Sequence, residues 1–188
     1  YHEMIRKFSQ LIWVSYHEDQ IRYEIHRMAN EHNIIQPAIL LDGTEDLVAF
    51  FRNSNHAPKR FIRTAVSPNL GETWSSVTNT PLPNPNSGFD VTTMTNGGYL
   101  AVINYTFKNR NNLSLLSSHD HGKTWKVLKA LENGADSSLE YSYPSLTFSD
   151  QGSDGRSYFL TYTYERHKIK YIVFNEAWVT NLEESGAL

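Results

Sequence analysis

From residue 34 onward, hydrophobic residues recur in short stretches of five to eight residues that are separated by turn residues. The dipeptides Asp42-Gly43 and Asp154-Gly155 and the tripeptide Asn96-Gly97-Gly98 are typical of tight hairpin turns. Stretches of this length between such turns predict an all-β chain folded as an antiparallel meander. The predicted strands are residues 34–41, 46–52, 60–67, 89–95, 99–106, 113–118, 143–149, 158–164 and 169–174.

The first 33 residues allow two interpretations. In a hairpin, residues 11–16 and 21–26 form the strands, and Ile21, Tyr23 and Ile25 share one face because side chains alternate along a strand. The alternative is a helix with an apolar side made of Ile5, Phe8, Ile12 and Tyr16. The alternation in the second stretch favours the hairpin.

Two octets repeat along the chain, at residues 67–74 and 118–125, with a period of 51 residues. Both have Ser, Gly, Thr and Trp at the same offsets, and the third position is Asn69 in one and Asp120 in the other. An Asn or Asp side chain closes a turn through backbone amides, and glycine permits a positive φ. The octet is therefore a folding motif, informative about architecture and not about catalysis.

A period near 50 residues with four short strands per unit is typical of β-propeller blades. The units are residues 34–82, 88–131 and 143–179, so the chain holds about three and a half blades. We therefore expect residues 1–33 to be the remnant of a preceding blade or a terminal segment. Residues 34–188 are expected to form blades of a partial propeller domain.

Composition removes several functional classes. The chain of 188 residues has no cysteine, which excludes disulfides, thiolate metal sites and cysteine nucleophiles. The net charge is −3 and there is no basic block, so nucleic acid is not an expected partner. Apolar runs reach five residues, too few for membrane insertion, and no targeting segment is recognisable in this chain. We expect a soluble protein without a cofactor, while its compartment stays open.

The octets resemble the Asp box, or BNR repeat, of the sialidase (neuraminidase) superfamily. Further segments resemble its predicted-neuraminidase branch: residues 35–39, 82–88, 141–146 and 162–166. The resemblance covers roughly residues 34–179. Members of this family are usually six-bladed, so it implies a sialidase-like propeller with four-stranded antiparallel blades, of which this chain contains part.

The resemblance also implies a chemistry. Sialidases are retaining glycosidases in which three arginines bind the sugar carboxylate, a tyrosine activated by a glutamate attacks the anomeric carbon, and an aspartate protonates the leaving group. A neutral phenol suits an anionic substrate that would repel a carboxylate nucleophile. Arginine suits a carboxylate because its planar fork donates two parallel hydrogen bonds.

Carried over to this sequence, the resemblance makes Tyr143 the nucleophile and Arg52 and Arg110 the second and third arginines. Gln36 stands where the activating glutamate belongs, and a neutral amide cannot act as a base. Glu165, after Tyr164, matches the acid that steadies the first arginine. That arginine and the acidic aspartate would lie upstream of Tyr1.

Each of these residues also has a purely structural interpretation. Arg52 is then a solvated side chain at a strand end, Arg110 part of a polar loop, and Tyr143 a packing residue near the centre of the ring. Four further residues are candidate sugar ligands, although turn formation is the usual role of the first three: Asn84, Asn86, Asp90 and Arg166.

His119 and His121 alternate within the second octet and could point the same way, but no third ligand is visible in the sequence, so no metal site is predicted.

The favoured function is a sialidase-like exo-glycosidase acting on an acidic glycan or oligosaccharide. Because Gln36 replaces the base, enzymatic activity itself is left open. A non-catalytic glycan-binding propeller and a lyase on acidic polysaccharide are the alternatives. A partial propeller also leaves open sheet edges, so we expect either a truncated chain or a homodimer that completes the ring.

Overall fold

The computed structural model describes residues 10–17, 20–27, 33–43, 46–151 and 155–186. Apart from one helix, the regular elements among these residues are all β-strands, so the all-β prediction is confirmed. The strands are β1 Gln10–His17, β2 Gln20–Arg27, β3 Ile34–Asp42, β4 Asp46–Asn53, β5 Phe61–Ser67, β6 Thr78–Pro83, β7 Asp90–Thr93, β8 Tyr99–Ile103, β9 Asn112–Ser118, β10 Lys126–Asn133, β11 Tyr141–Ser149, β12 Ser157–Tyr164 and β13 Lys168–Asn175.

Consecutive strands pair antiparallel in four separate sheets. Their orders are β1-β2, β3-β4-β5-β6, β7-β8-β9-β10 and β11-β12-β13. The first strand of each larger sheet is innermost, because β7 lies against β3 on one side and β11 on the other. The three larger sheets are therefore successive blades around a common axis, and their inner strands begin near one another.

The second sheet is enclosed between its two neighbours. Strand β8 is buried along its whole length, since alternate residues face opposite sheets. Tyr99 packs with Phe50 of the first blade, whereas Leu100 packs with Tyr158 and Leu160 of the third. These two cores hold the blades in fixed relative positions.

The first octet forms a closed hydrogen-bond network. Ser67 Oγ accepts from Gly71 N at 2.8 Å, and Asn69 Oδ1 accepts from Thr73 N at 2.9 Å. The Trp74 indole donates to Gly71 O at 3.1 Å. The second octet makes the same bonds at the equivalent atoms. The turn chemistry predicted from the repeat is thus present twice.

The third blade differs from the predicted four-stranded unit. It has three strands, and helix α1, Glu176–Ser185, follows β13 and includes the end of the unit predicted at residues 143–179. Asn175 caps the helix by accepting from Trp178 N at 2.9 Å, and Gly186 ends it with φ of 60°. Val179 is buried in the core shared with the second blade, which explains why a helix is stable here. Within the described residues, no helix is long and apolar enough to cross a membrane.

At the beginning of the described chain, β1 and β2 pair antiparallel, which confirms the hairpin interpretation for residues 10–17 and 20–27. Ile5 and Phe8 of the alternative helix lie outside the described residues, as does Asp154 of a predicted turn. Leu11 packs against the outer face of the first blade. The domain division at residue 33 stays a prediction.

The open face of the third blade exposes Ile169, Tyr171 and Val173. Completion of the ring by a second copy stays a prediction.

Candidate active site

Gln36 and Tyr143 are the third residues of the inner strands of the first and third blades, and their backbones share an unusual geometry. Each has a positive φ, 47° and 52°, which is uncommon for these residue types. Each directly precedes a proline and lies at an irregularity in strand pairing. Both line an open cavity of about 230 Å³, whose walls are residues 36–38, 88–90 and 143–145. Backbone in such conformations concentrates at functional sites.

Gly88 of the middle blade separates these two side chains. A Cβ atom at this position would lie 3.0 Å from Tyr143 Cδ1 and 3.7 Å from Gln36 Oε1. The absence of a side chain therefore allows the tyrosine ring to pack directly on the neighbouring backbone.

Arg52 and Arg110 converge on one asparagine. Arg52, near the end of β4, donates from Nη1 to Gln36 Oε1 at 2.7 Å and from Nε to Asn86 Oδ1 at 2.9 Å. Arg110, in the β8–β9 connection, donates from Nη2 to Asn86 O at 2.7 Å. Asn86 thus orients both guanidinium groups, one with its side chain and one with its backbone. The backbone N–H of Asn86 donates to Asn84 Oδ1 at 3.1 Å.

Tyr143 is 47% exposed, and its ring centroid lies 5.3 Å from Arg110 Cζ. Partial burial alone raises the pKa of its hydroxyl, but Arg110 and Arg52 outweigh this effect, so the pKa lies below its ordinary value. The phenol is therefore accessible and easier to deprotonate than an ordinary tyrosine.

Glu140 joins this group although the sequence did not suggest it. Its carboxylate accepts from Arg110 Nη1 at 3.1 Å, Arg166 Nε at 2.6 Å and Ser142 Oγ at 2.7 Å. Burial alone raises the pKa of Glu140, but these hydrogen bonds lower it further than burial raises it. The carboxylate is therefore ionised at neutral pH.

The match to the family model described as a BNR repeat-like domain covers residues 1–155. The chain belongs to the BNR repeat-like family. No curated protein matches its sequence significantly.

Solved structures similar to this BNR repeat-like chain include two sialidases and an arabinofuranosidase. The Hadza microbial sialidase Hz136 has a TM-score of 0.62 and 16% identity over 83% of this chain and 30% of its own. NanB sialidase from Streptococcus pneumoniae has a TM-score of 0.64 and 11% identity, and the match covers 92% of this chain and 28% of NanB. The GH93 α-L-arabinofuranosidase of Fusarium graminearum has a TM-score of 0.55 and 15% identity, and the match covers 75% of this chain and 44% of the arabinofuranosidase. The fold is thus a partial sialidase-like propeller, and this chain spans less than half the length of each.

The remaining predicted ligands of this BNR repeat-like chain lie around the same group. Asn84 is buried and donates from Nδ2 to Ser87 O at 2.9 Å, so its amide shapes the loop. Asp90 lines the cavity and accepts from Leu146 N at 2.7 Å, which links the second and third inner strands. Burial raises the pKa of Asp90.

Glu165 and Arg166 form the β12–β13 turn beside Glu140. Glu165 N donates to Glu140 O at 2.7 Å, and its carboxylate accepts from the Tyr141 hydroxyl at 3.4 Å. The Arg166 side chain is 72% exposed.

The two histidines of the second octet do not converge. His119 Nε2 lies 2.7 Å from Glu183 Oε1, whereas His121 Nδ1 lies 2.8 Å from Asp42 Oδ2. No group of three side chains suited to a metal ion occurs in the part of the chain that the structure describes. Each histidine instead contacts a carboxylate of a neighbouring blade or helix.

Proposed function

We propose that this chain carries part of a sialidase-like site for an acidic sugar, with Arg52 and Arg110 as carboxylate ligands and Tyr143 as the nucleophile. The observation that carries the proposal concerns Tyr143. This residue is exposed, its hydroxyl has a lowered pKa, and its ring centroid lies 5.3 Å from Arg110 Cζ. Two guanidinium groups oriented on Asn86 form a ready anion site. Asn86 and Arg166 are further candidate ligands for the sugar.

In the glycosidase reaction, Tyr143 Oη would form a bond to the anomeric carbon while the glycosidic C–O bond breaks. The phenol proton would pass to solvent because Gln36 cannot accept it. The leaving oxygen would take its proton from a general acid other than Tyr143, Gln36 and the two arginines. The lowered pKa of Tyr143 favours the attacking phenolate.

A second candidate, glycan binding without turnover, is favoured by Gln36. Its amide oxygen accepts from Arg52 at 2.7 Å, as a carboxylate would, but supplies no base. A neutral partner leaves the positive charge of Arg52 uncompensated, which favours binding of an anion. The same arginines and tyrosine would also suit a lyase that acts on acidic polysaccharide.

The test uses the full-length protein. It is assayed with a fluorogenic sialoside and with an acidic polysaccharide whose cleavage by a lyase yields unsaturated uronate. Tyr143→Phe should lower turnover at least about 100-fold. Tyr105→Phe, a tyrosine of nearly equal exposure, should leave it unchanged. Binding of acidic glycan without turnover favours the second candidate, whereas neither binding nor turnover rejects the site.

A further inference from the structure

Glu140 connects two arginines to the strand that carries Tyr143. We propose that Glu140 is a positioning residue that holds Arg110 beside Tyr143 and neutralises its charge, which leaves Arg52 as the main anchor for the carboxylate of the ligand. The part concerning the ligand rests on the proposed function. The part concerning Tyr143 is independent of it.

Both oxygens of the Glu140 carboxylate are occupied. Oε1 accepts from Arg110 Nη1 at 3.1 Å and from Ser142 Oγ at 2.7 Å. Oε2 lies 2.6 Å from Arg166 Nε and 2.5 Å from its Nη2. The Glu140 side chain is only 12% exposed, so solvent screens its ion pairs weakly. Since Arg110 is also bound to Asn86 O, its guanidinium is held from two sides.

Arg52 has a different environment. Both of its hydrogen bonds go to neutral amide oxygens, those of Gln36 and Asn86. Among the described residues, no carboxylate lies within ion-pair distance of Arg52. Amides orient a guanidinium without cancelling its charge. An incoming carboxylate should therefore gain more from Arg52 than from Arg110, whose charge Glu140 already compensates.

Arg110 is instead placed to act on the phenol. Its Cζ lies 5.3 Å from the centroid of the Tyr143 ring, and the negative charge of Glu140 opposes its effect. Glu140→Gln would remove that charge and keep an oxygen for Arg110 and Ser142. The glutamine oxygen and Asn86 O would still hold Arg110 in place, so only the opposing charge is lost and the Tyr143 phenolate should become more stable.

The first experiment is a spectrophotometric titration of tyrosine. The chain has 11 tyrosines, so the curve of Tyr143→Phe is subtracted from that of the wild type, and the same is done in the Glu140→Gln background. The pKa of Tyr143 should fall by about 0.5 unit or more in Glu140→Gln. Asp150→Asn, which breaks the Asp150–Arg156 pair outside the site, should cause no shift. An unchanged or raised pKa in Glu140→Gln overturns the proposal, even if melting temperature falls.

The second experiment measures binding of free N-acetylneuraminic acid and glucuronic acid by calorimetry. Arg52→Gln should weaken binding at least about tenfold, because the uncompensated charge is lost. Arg110→Gln should weaken it less, and Glu140→Gln should leave it equal or tighter. Equal losses in the two arginine variants overturn the division of roles. If the wild type binds neither acid, the proposed function fails, while the titration still decides the effect of Glu140 on Tyr143.

Discussion

Arg52 donates a hydrogen bond from Nη1 to the side-chain oxygen of Gln36 at 2.7 Å. Gln36 thereby orients the arginine but contributes neither negative charge nor a proton acceptor. A glutamate has nearly the same shape and would add both. The identity of this one side chain therefore decides between a stronger anion site and a site with a base in the cavity that Tyr143 also lines.

We predict that Gln36→Glu raises turnover of a sialoside and weakens binding of an acidic ligand. General-base assistance contributes about 100-fold or more in rate, so an increase of at least about tenfold is expected in the full protein. The new carboxylate would pair with Arg52 and compete with the ligand. Steady-state kinetics should show kcat and KM rising together.

Gln36→Ala is the matched control, since it removes the hydrogen bond without supplying a base. It should raise KM without raising kcat. Turnover in Gln36→Glu no higher than in Gln36→Ala would contradict the base interpretation.

Gly88→Ala should impair the site more than it impairs the fold. The added Cβ would lie 3.0 Å from Tyr143 Cδ1, so the half-exposed ring would tilt away. We expect a loss of roughly 1 kcal/mol or less in stability and a loss of about tenfold or more in turnover. Denaturant unfolding and kinetics measure the two effects.

A Tyr143→Ala background tests whether contact with the tyrosine ring causes the loss of stability in Gly88→Ala. There the added methyl group meets no ring, so Gly88→Ala should have little effect on stability. An equal loss in both backgrounds would show that the backbone, not the tyrosine, requires glycine.

The strands and octets could be predicted because their signals are local. The octet at residues 67–74 contains its donors and acceptors within eight residues, so the sequence alone indicates the turn. The converging inner strands followed from the period of the repeat. Arg52 and Tyr143 were predicted as site residues by resemblance, whereas the hydrogen bonds of Arg52 and the contact of the Tyr143 ring with Arg110 required coordinates.

Glu140 was missed because nothing near it in sequence marks it as functional. Its partners Arg110 and Arg166 are 30 and 26 residues away, and only the packing of blades brings them together. Helix α1 was missed for another reason. Its signals were present, namely the Asn175 cap, apolar residues spaced three and four apart and the terminal Gly186, but the repeat favoured a fourth strand.

Tyr143 should be the fastest tyrosine to react with tetranitromethane at about pH 8, because nitration requires the phenolate and Arg110 and Arg52 lower the pKa of this hydroxyl. Tyr105 is nearly as exposed as Tyr143 and Tyr171 is more exposed, so both serve as internal controls. Peptide mass spectrometry at short reaction times measures the order. Faster nitration of Tyr105 would contradict a lowered pKa at Tyr143.

Asp120 should make the stability of the protein fall at acid pH. Asn69, its counterpart in the first octet, does not titrate and should have no such effect. Hydrogen bonds from the Thr124 hydroxyl and backbone lower the pKa of Asp120 to about 2. Since the unfolded carboxyl titrates near pH 4, its stabilising effect is complete above that pH and is lost as the pH falls towards 2.

Asp120→Asn should therefore keep most of the stability at pH 7 and reduce the fall in melting temperature between pH 5 and 3. Asn69→Asp should do the reverse and add acid sensitivity to the first octet. Asp120→Ala should lower the melting temperature at every pH, because the acceptor for Thr124 is lost. Calorimetric melts at a series of pH values measure all three variants. An acid response of Asp120→Asn identical to that of the wild type would mean that other carboxylates govern the transition.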